Sequence, residues 1–530
     1  MTFATARTIS LQGALGHLID VQADVSQGMV GTTLVGRPDA AINEGRDRCR
    51  MAVQNSGLDW PATRRVTILL SPADVPKSGP HFDLAMAVAV LAASGVVPEE
   101  SLRETVFVGE LTLDGRLRAV PGVLPMTMAA SSRGIQRVFV PEPQAREAAL
   151  VPGMSVFGIR SLAQVVAELR GEIVPPAAPV EPMTGNRLLS WRGEGRLVDV
   201  DLAEVKGMED PRYAIEVAAA GGHHVLLTGP KGAGKTTLAE RIPGILPDLT
   251  VEEALELTAI HSLAGALEPG DDLISRPPYC APHSSASRAS LLGGGTGKVR
   301  PGDVSRAHCG VLFMDEFPLF ASDVIEALRQ PLESGDITIS RGDETATYPA
   351  RGMFVFACNP CPCGMYSVSP GASKCECREV ERREYRRKMS GPVIDRIDIT
   401  RHVVPLGGSS DDGLSGPPES TARVRARVEE ARDRQRLRFR DDPWRTNAQV
   451  PGPRLTDRWP LTRAAEKMLD RELYAGGLTR RGATRVHRLA WTVADLDGVD
   501  RPGIDELDVA VRLRTGAPLL LSTTQQRYAG

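Results

Sequence analysis

The sequence has no long hydrophobic run, few aromatic residues and no strong charge bias. No stretch approaches the roughly 20 apolar residues that a membrane-spanning helix requires, and the first ten residues lack the apolar core of a signal peptide. The net charge is −3, so any contact with nucleic acid must depend on local basic patches. Only 4% of the residues are aromatic, which leaves few side chains for base stacking. We therefore expect a cytoplasmic globular protein with no membrane partner.

Composition shifts divide the chain into three parts. Its 530 residues are too many for one hydrophobic core. Two segments rich in Gly, Pro, Ser or Asp are predicted to be linkers, at 171–194 and 406–420. The periodicity of apolar residues predicts an α+β domain at 1–170, an α/β domain at 195–405 and a helical C-terminal domain at 421–530.

A glycine-rich segment follows the short apolar run 225–228. In Gly229–Thr236, two glycines with four residues between them are followed by Lys and Thr. At a strand-to-helix junction this spacing is typical of a loop whose backbone N–H groups surround phosphate oxygens. We expect Lys235 to contact the β- and γ-phosphates of a nucleotide and Thr236 to hold Mg²⁺. The predicted nucleotide-binding residues are Gly229, Pro230, Lys231, Gly232, Ala233, Gly234, Lys235, Thr236, Thr237 and Asp315.

Two further apolar runs end in polar residues that suit hydrolysis. Residues 310–314 precede Asp315 and Glu316, which places two carboxylates at the end of a buried strand, where open α/β sheets bind ligands. We expect Asp315 to support the Mg²⁺ shell and Glu316 to activate the attacking water. Residues 353–358 precede Asn359, whose amide can position that water, although Asn-Pro is also a common turn starter.

The order of these motifs resembles that of AAA+ ATPases, within them the magnesium-chelatase-like group, and most closely the ComM/YifB family. The matching segments are PHSSASRASLLGGG (282–295), HCGVLFMDEF (308–317), CNPCPCG (358–364), SGPVIDRIDI (390–399), TRRGATRVHRLAWTVADL (479–496), SPADVPKSGPHFDLAMAVAVLAAS (71–94) and VGELTLDGRLRAVPGVLP (108–125). The resemblance covers the chain apart from its linkers and tail. It implies an α/β fold with an AAA+ phosphate-loop core, an N-terminal α+β Lon-like domain and a C-terminal helical lid.

The resemblance also implies roles for three single residues. Asn359 is similar to the family's first sensor, and Arg481 to its second sensor on the helical lid. Arg396 is similar to the arginine finger, which enters the nucleotide site of a neighbouring subunit. Such a finger implies a homo-oligomer, in this family a hexamer. From the residues alone, an ordinary ion pair between Arg396 and Asp395 or Asp398 remains open.

The N-terminal part resembles the proteolytic domain of Lon-type proteases without its catalytic residues. His81 stands where the nucleophilic Ser is expected, and Leu124 where the basic Lys is expected. Leu cannot accept a proton, so His81 would have no base partner. Lys77 and Ser78 leave a rearranged dyad conceivable, but we expect a collar or binding domain without peptidase activity.

Two C-x-C pairs lie in a cysteine-rich insert at 358–377. Cys361, Cys363, Cys375 and Cys377 offer four thiolates to a tetrahedral Zn²⁺, although C-x-x-C is the commoner spacing. Such a metal would hold an insert that is too small to have a core. The alternative is a cluster of reduced, unligated thiols.

Two segments are candidates for contact with a client in the pore of a ring. Residues 292–301 are predicted to form a flexible loop with two cations, and 336–348 alternate like a β-hairpin with Arg341-Gly342-Asp343 at its tip. The alternative for each segment is a solvated surface loop. The family implies an ATP-driven DNA helicase or translocase that promotes branch migration when incoming DNA recombines in natural transformation. The alternatives are a chelatase-type motor that drives metal insertion, and a protein-remodelling ATPase.

Overall fold

The computed structural model describes most of the chain. The described residues are 3–183, 200–267, 270–295, 299–341, 344–366, 375–388, 393–404 and 419–519. Within these ranges no helix has both the length and the apolar character needed to cross a membrane.

The N-terminal part contains a four-stranded sheet and a three-stranded parallel sheet. Its strands are β1 (Phe3–Gln12), β2 (Leu15–Ser26), β3 (Gly31–Val35), β4 (Arg65–Ser71), β5 (Thr105–Phe107), β6 (Glu110–Leu111), β7 (Leu117–Arg118), β8 (Arg137–Pro141) and β9 (Ser155–Ile159). Its helices are α1 (Ala40–Asn55), α2 (Asp83–Ala93), α3 (Val123–Ser131), α4 (Ala145–Ala149) and α5 (Leu162–Arg170). The strand orders are β1-β2-β4-β3 and β5-β8-β9. Helix α2 is apolar on all sides and wholly buried, because it packs in the interior of this domain.

The proline-rich segment that follows α5 has no helix or strand over 172–183. It is nevertheless bound to the N-terminal domain. Gln164 donates a hydrogen bond to the carbonyl of Pro175, Arg160 donates one to the carbonyl of Ala177, and Val180 is buried. The first half of this predicted linker is therefore attached to the domain before it. Residues 184–199 lie outside the described residues.

A five-stranded parallel sheet forms the centre of the second part. Its strands are β10 (Val225–Thr228), β11 (Tyr279–Cys280), β14 (Val311–Met314), β17 (Met353–Cys358) and β18 (Ile399–His402), in the order β11-β14-β17-β10-β18. Strands β14 and β17 are buried along their whole length, as expected for parallel strands covered on both faces. The surrounding helices are α6 (Glu209–Gly221), α7 (Lys235–Ala239), α8 (Ile242–Ile245), α9 (Val251–Ala264), α10 (Arg288–Leu292), α11 (Asp303–Arg306), α12 (Ser322–Ala327), α13 (Arg329–Ser334) and α14 (Glu379–Lys388).

Two antiparallel hairpins project from this part. They are formed by β12 (Gly293–Gly294) with β13 (Arg300–Pro301), and by β15 (Asp336–Arg341) with β16 (Glu344–Pro349). The tips, residues 296–298 and 342–343, lie outside the described residues. The second hairpin pairs Ile337 with Tyr348, and its first strand extends to Arg341, a residue that the sequence predicted at the tip.

The C-terminal part is helical within the described residues. Its helices are α15 (Thr421–Arg438), α16 (Gly452–Arg458), α17 (Arg463–Tyr474), α18 (Arg480–Asp497) and α19 (Ile504–Thr515). Helices α15 and α18 pack against α6, and their apolar residues share one core with strands of the parallel sheet. The expected α/β class with a helical C-terminal region is confirmed.

Candidate functional site

The phosphate-loop segment lies at the carboxyl end of β10. Gly232 and Gly234 have φ values of +79° and +87°, a region that favours glycine. At Gly229 a Cβ atom would lie 2.2 Å from the carbonyl oxygen of Val403, so a side chain has no room there. Helix α7 begins at Lys235, directly after this turn. The local sequence thus forms a glycine-dependent loop that opens on a helix N-terminus.

The ammonium group of Lys235 lies inside this loop. Its Nζ donates to the carbonyl oxygens of Gly229 and Pro230, at 2.7 and 2.9 Å, and to Oδ1 of Asn359 at 3.0 Å. Burial lowers the pKa of Lys235, although the charge of Asp315 opposes this shift. Among the described residues no carboxylate forms an ion pair with Nζ. A phosphate anion is therefore the charge partner that suits this lysine.

Oxygen ligands suited to Mg²⁺ lie beside the lysine. Thr236 Oγ1 donates to Asp315 Oδ2 at 3.0 Å, and Asp315 Oδ1 accepts a hydrogen bond from the backbone N–H of Glu316 at 2.8 Å. Asp315 follows β14, which is two strands away from β10 in the sheet. A hydroxyl and a carboxylate at this spacing fit the all-oxygen coordination of Mg²⁺, which usually takes few protein ligands.

The residues predicted for water activation lie at the same edge of the sheet. Glu316 is exposed and has a φ of +49°, while Asn359 follows the carboxyl end of β17. Burial raises the pKa of Tyr385, on α14, and a backbone hydrogen bond connects this side chain to Asn359. Tyr385 was not predicted from the sequence, because no motif marks it. The structure thus brings the loop, Asp315, Glu316 and Asn359 together.

Arg396 and Arg481 lie at the opposite edge of the sheet. Arg396 is buried just before β18, and its Nε and Nη2 bind the carboxylate of Glu333, with Nε at 3.1 Å. Arg481, on α18, lines a cavity of about 1000 Å³ together with Glu333, Gly310 and Met353, and the last two mark the amino ends of β14 and β17. The hydrogen bond from Arg396, with the charges of both arginines, holds the pKa of Glu333 below its usual value.

This placement separates the two arginines from their own phosphate loop. The four residues of β10 alone span about 13 Å. Among the described residues, Arg396 forms neither of the ion pairs considered from the sequence, with Asp395 or with Asp398, and Asp398 binds Arg485 at 2.5 Å. Glu333 is the partner instead, and it was missed because it stands in an ordinary helix far from Arg396 in the chain.

The four predicted cysteines meet at one point. Their Sγ atoms all lie within 4.8 Å of one another. Cys361 and Cys363 are 3.3 Å apart, and Cys375 lies 3.6 Å from Cys363 and 3.5 Å from Cys361. Four thiolates bound tetrahedrally to Zn²⁺ would be about 3.8 Å apart. Cys358, on β17, is buried in an apolar cluster, and burial raises its pKa to about 12, as expected for a packed thiol.

The positions that align with the protease's catalytic residues make other contacts among the described residues. His81 is buried, and its Nε2 bonds to the carbonyl oxygen of Ile9 at 2.8 Å. Leu124 is buried at the start of α3, and Lys77 Nζ donates to the carbonyl of Pro72. His81, Leu124 and Lys77 thus each make contacts with other parts of the N-terminal domain or with its interior.

Comparison with known proteins identifies related sequences along the chain. The family described as magnesium chelatase, subunit ChlI, matches residues 201–410. The subunit ChlI of Mg-chelatase family matches 21–144, and the ChlI C-terminal family matches 418–514.

Several relatives match over nearly their full length. An uncharacterized protein of Mycobacterium tuberculosis is 45% identical over 98% of this chain and 100% of its own. The uncharacterized protein YifB of Escherichia coli is 37% identical over 98% of this chain and 99% of its own. The competence protein ComM of Haemophilus influenzae is 36% identical over 94% of this chain and 94% of its own. A Lon protease of Rhizobium meliloti is 23% identical over 163 residues, which are 29% of this chain and 20% of that protein. These matches bear out the predicted family and fold.

Proposed function

This chain belongs to the magnesium-chelatase-like AAA+ ATPases of the ComM and YifB type, and we propose that it hydrolyses ATP at Gly229–Thr236 as the motor of a homo-oligomeric ring. The observation that carries the proposal is the convergence of Lys235, Thr236, Asp315, Glu316 and Asn359 at one edge of the sheet. ATP and Mg²⁺ use follows from the family.

Each residue of this edge has a part in hydrolysis. The backbone N–H groups of the loop bind the phosphates, and Lys235 exchanges its carbonyl contacts for the β- and γ-phosphate oxygens. Thr236 and Asp315 would hold Mg²⁺, which supplies charge neutralisation at the phosphates. Glu316 orients and deprotonates the attacking water, and Asn359 fixes the position of that water against the γ-phosphate.

A neighbouring copy completes the site. Arg396 and Arg481 lie at the far edge of the sheet from their own phosphate loop, which supports a role at the nucleotide of the next subunit. Arg396, which is buried against Glu333, would have to exchange that carboxylate for the phosphate. In a head-to-tail ring each interface would combine one phosphate loop with one pair of arginines. A positive charge at the γ-phosphate stabilises the charge that develops in the transition state. The family favours a hexamer for this ring.

DNA is the proposed client. The hairpins β12–β13 and β15–β16 pack next to each other, which supports a common role in gripping a strand by phosphate contacts. One relative is a competence protein, which supports a helicase or translocase acting in branch migration of incoming DNA.

We also propose that Cys361, Cys363, Cys375 and Cys377 bind a structural Zn²⁺ that holds the insert after Asn359.

Steady-state ATPase assays test this function. Turnover is measured alone and with forked DNA, single-stranded DNA, an unfolded protein or a porphyrin with its metal, at low salt. We expect DNA to stimulate ATP turnover of the wild-type protein, and we expect no such stimulation in Lys235→Ala. Strong stimulation by the protein or the porphyrin, with none by DNA, would replace the helicase with the remodelling or chelatase-type motor.

A further inference from the structure

The hairpin β15–β16 has one polar and one apolar face. On the polar face, Thr338 bonds to Thr347 and Ser340 to Thr345, with hydroxyl oxygens 3.0 and 3.1 Å apart, and these pairs are exposed. On the other face Ile337, Ala346 and Tyr348 are buried. The exposed face is available to a client, whereas the buried face fixes where the hairpin stands.

Part of that buried face is covered by the N-terminal domain. The turn between β1 and β2 brings Ala14 into one apolar cluster with Ala346 and Tyr348. At the neighbouring Gly13, φ is +60°, and a Cβ atom would lie 2.8 Å from the carbonyl oxygen and 3.0 Å from the backbone nitrogen of Thr347. Backbone therefore lies against backbone at this contact, and only glycine satisfies both the conformation and the distance.

Helix α9 joins the same contact from the other side. Its Leu263 belongs to the cluster of Ala14 and Ala346, and a Cβ atom at Gly122 would lie 3.0 Å from Leu263 Cδ2. The helix is held to the N-terminal domain by a half-buried carboxylate, because Glu147 Oε1 accepts from Ser262 Oγ at 2.5 Å and from the backbone of Leu124 at 2.9 Å.

The surface that carries the catalytic Lys in a protease of this fold is thus closed by α9. Leu124 and Val151 of the N-terminal domain share a buried cluster with Ala259 of α9. The N-terminal domain is therefore attached to α9 by apolar packing and by the hydrogen bonds of Glu147, and to the hairpin by apolar packing and the close backbone approach at Gly13. This arrangement connects the domain to the elements proposed to meet the client.

We propose that the β1–β2 turn positions the β15–β16 hairpin, so that the N-terminal domain serves as the support of the client-gripping loop. Gly13 is then a positioning residue for the engagement of a nucleic-acid strand. This inference rests on the proposed function for its client, but the contact itself does not depend on which client is gripped.

The test compares Gly13→Ala with Gly57→Ala. Gly57 also has a positive φ, +71°, but a Cβ atom there meets nothing within 4 Å. Both substitutions introduce similar backbone strain, of about 1–2 kcal/mol, and only the first disturbs the hairpin. Thermal unfolding of both variants checks that the fold is retained. Ala14→Gly, which removes one methyl group from the same cluster, is the milder variant if Gly13→Ala does not fold.

Two measurements decide the outcome. Hydrogen exchange in 336–349, without nucleotide or DNA, should accelerate in Gly13→Ala and remain at the wild-type rate in Gly57→Ala. DNA stimulation of ATPase should fall by about fivefold or more in Gly13→Ala, with basal turnover unchanged. Equal hairpin exchange in the two variants would overturn the proposal. A wild-type protein that DNA does not stimulate would refute the DNA client, while the exchange result would still decide the contact.

Discussion

Glu316 has a backbone conformation that few residues other than glycine adopt. Its φ of +49° follows the buried strand β14, and strain of about 1–3 kcal/mol at such positions is concentrated at functional sites. We expect Glu316→Gln to bind ATP normally and to lower kcat by about 10²–10⁴-fold, because the carboxylate that accepts the water's proton is lost. Calorimetric ATP binding and steady-state turnover of the same preparation check this.

Glu326→Gln is the matched control for that experiment. Glu326 is an exposed carboxylate on α12 whose ion-pair partner is Arg329. Its turnover should stay at the wild-type value. If Glu316→Gln also hydrolyses ATP at nearly the wild-type rate, another group must activate the water.

Asp398 illustrates a buried charge that stabilises the edge where Arg396 lies. Burial alone would raise its pKa, but the charge of Arg485 and the hydrogen bond of His223 together hold the pKa of Asp398 well below the usual value. The carboxylate also accepts a hydrogen bond from the backbone of His224 at 3.0 Å. Removing one partner of such a buried pair leaves an uncompensated charge, so Asp398→Asn should lower the free energy of unfolding by about 3–5 kcal/mol.

The pH dependence of this contribution has a defined sign. Because the pKa of Asp398 is lower in the folded than in the unfolded protein, its stabilisation is complete above the unfolded value of about 4 and is lost as the pH falls further. Denaturant unfolding is measured from pH 7 to pH 3. The difference in the free energy of unfolding between wild type and Asp398→Asn should become smaller as the pH falls towards 3. Asp114→Asn, at an exposed pair with Arg116, should cost less than about 1 kcal/mol at every pH. A gap that widens towards low pH would contradict the assigned ion pair.

At the scale of elements, the sequence predicts a site residue when a single contiguous stretch contains both the strand and the residue at its end. The apolar runs that became β10, β14 and β17 each end at a predicted site residue, and the carboxyl ends of neighbouring parallel strands meet at one edge. The partner of Arg396 was not predictable in this way. Glu333 stands 63 residues earlier, on α13, and no spacing rule relates residues of separate elements over such a distance.

The cysteine insert is an element whose order depends on a metal in our proposal. Purified protein should contain about one Zn²⁺ per chain, and Cys363→Ser should lose most of it, because three thiolates rarely hold a structural site. Metal content is measured by inductively coupled plasma mass spectrometry. Cys280→Ser, which alters a cysteine of β11 outside the cluster, should keep its metal. Zinc-free wild-type protein purified without chelators would show that the thiols are unligated.

At the scale of the whole molecule, the sequence predicted an order of domains but no contacts between them. The residues His81 and Leu124, which stand where a Lon-type protease has its Ser and Lys, led to the prediction that the domain has no peptidase activity. They did not indicate that Leu124 would be buried beside α9, because the α9 residues of its cluster, Leu255 and Ala259, lie more than a hundred positions later. Long-range packing of this kind is decided by shape complementarity rather than by local pattern.

The proposed division of the site between two copies gives the last prediction. Arg396→Ala should bind ATP but hydrolyse it poorly, and Lys235→Ala should fail to bind it, because each variant lacks one half of the site. In an equal mixture, a subunit with an intact phosphate loop can stand next to one with an intact Arg396. Random assembly of a head-to-tail ring would then restore about a quarter of the wild-type turnover. The control replaces Arg396→Ala with the Lys235→Ala, Arg396→Ala double variant, which has no intact loop and should restore nothing. If mixing Arg396→Ala with Lys235→Ala restores nothing, although both variants assemble as the wild type does, Arg396 acts within its own chain, and the separation across the sheet must close by a movement of the domains.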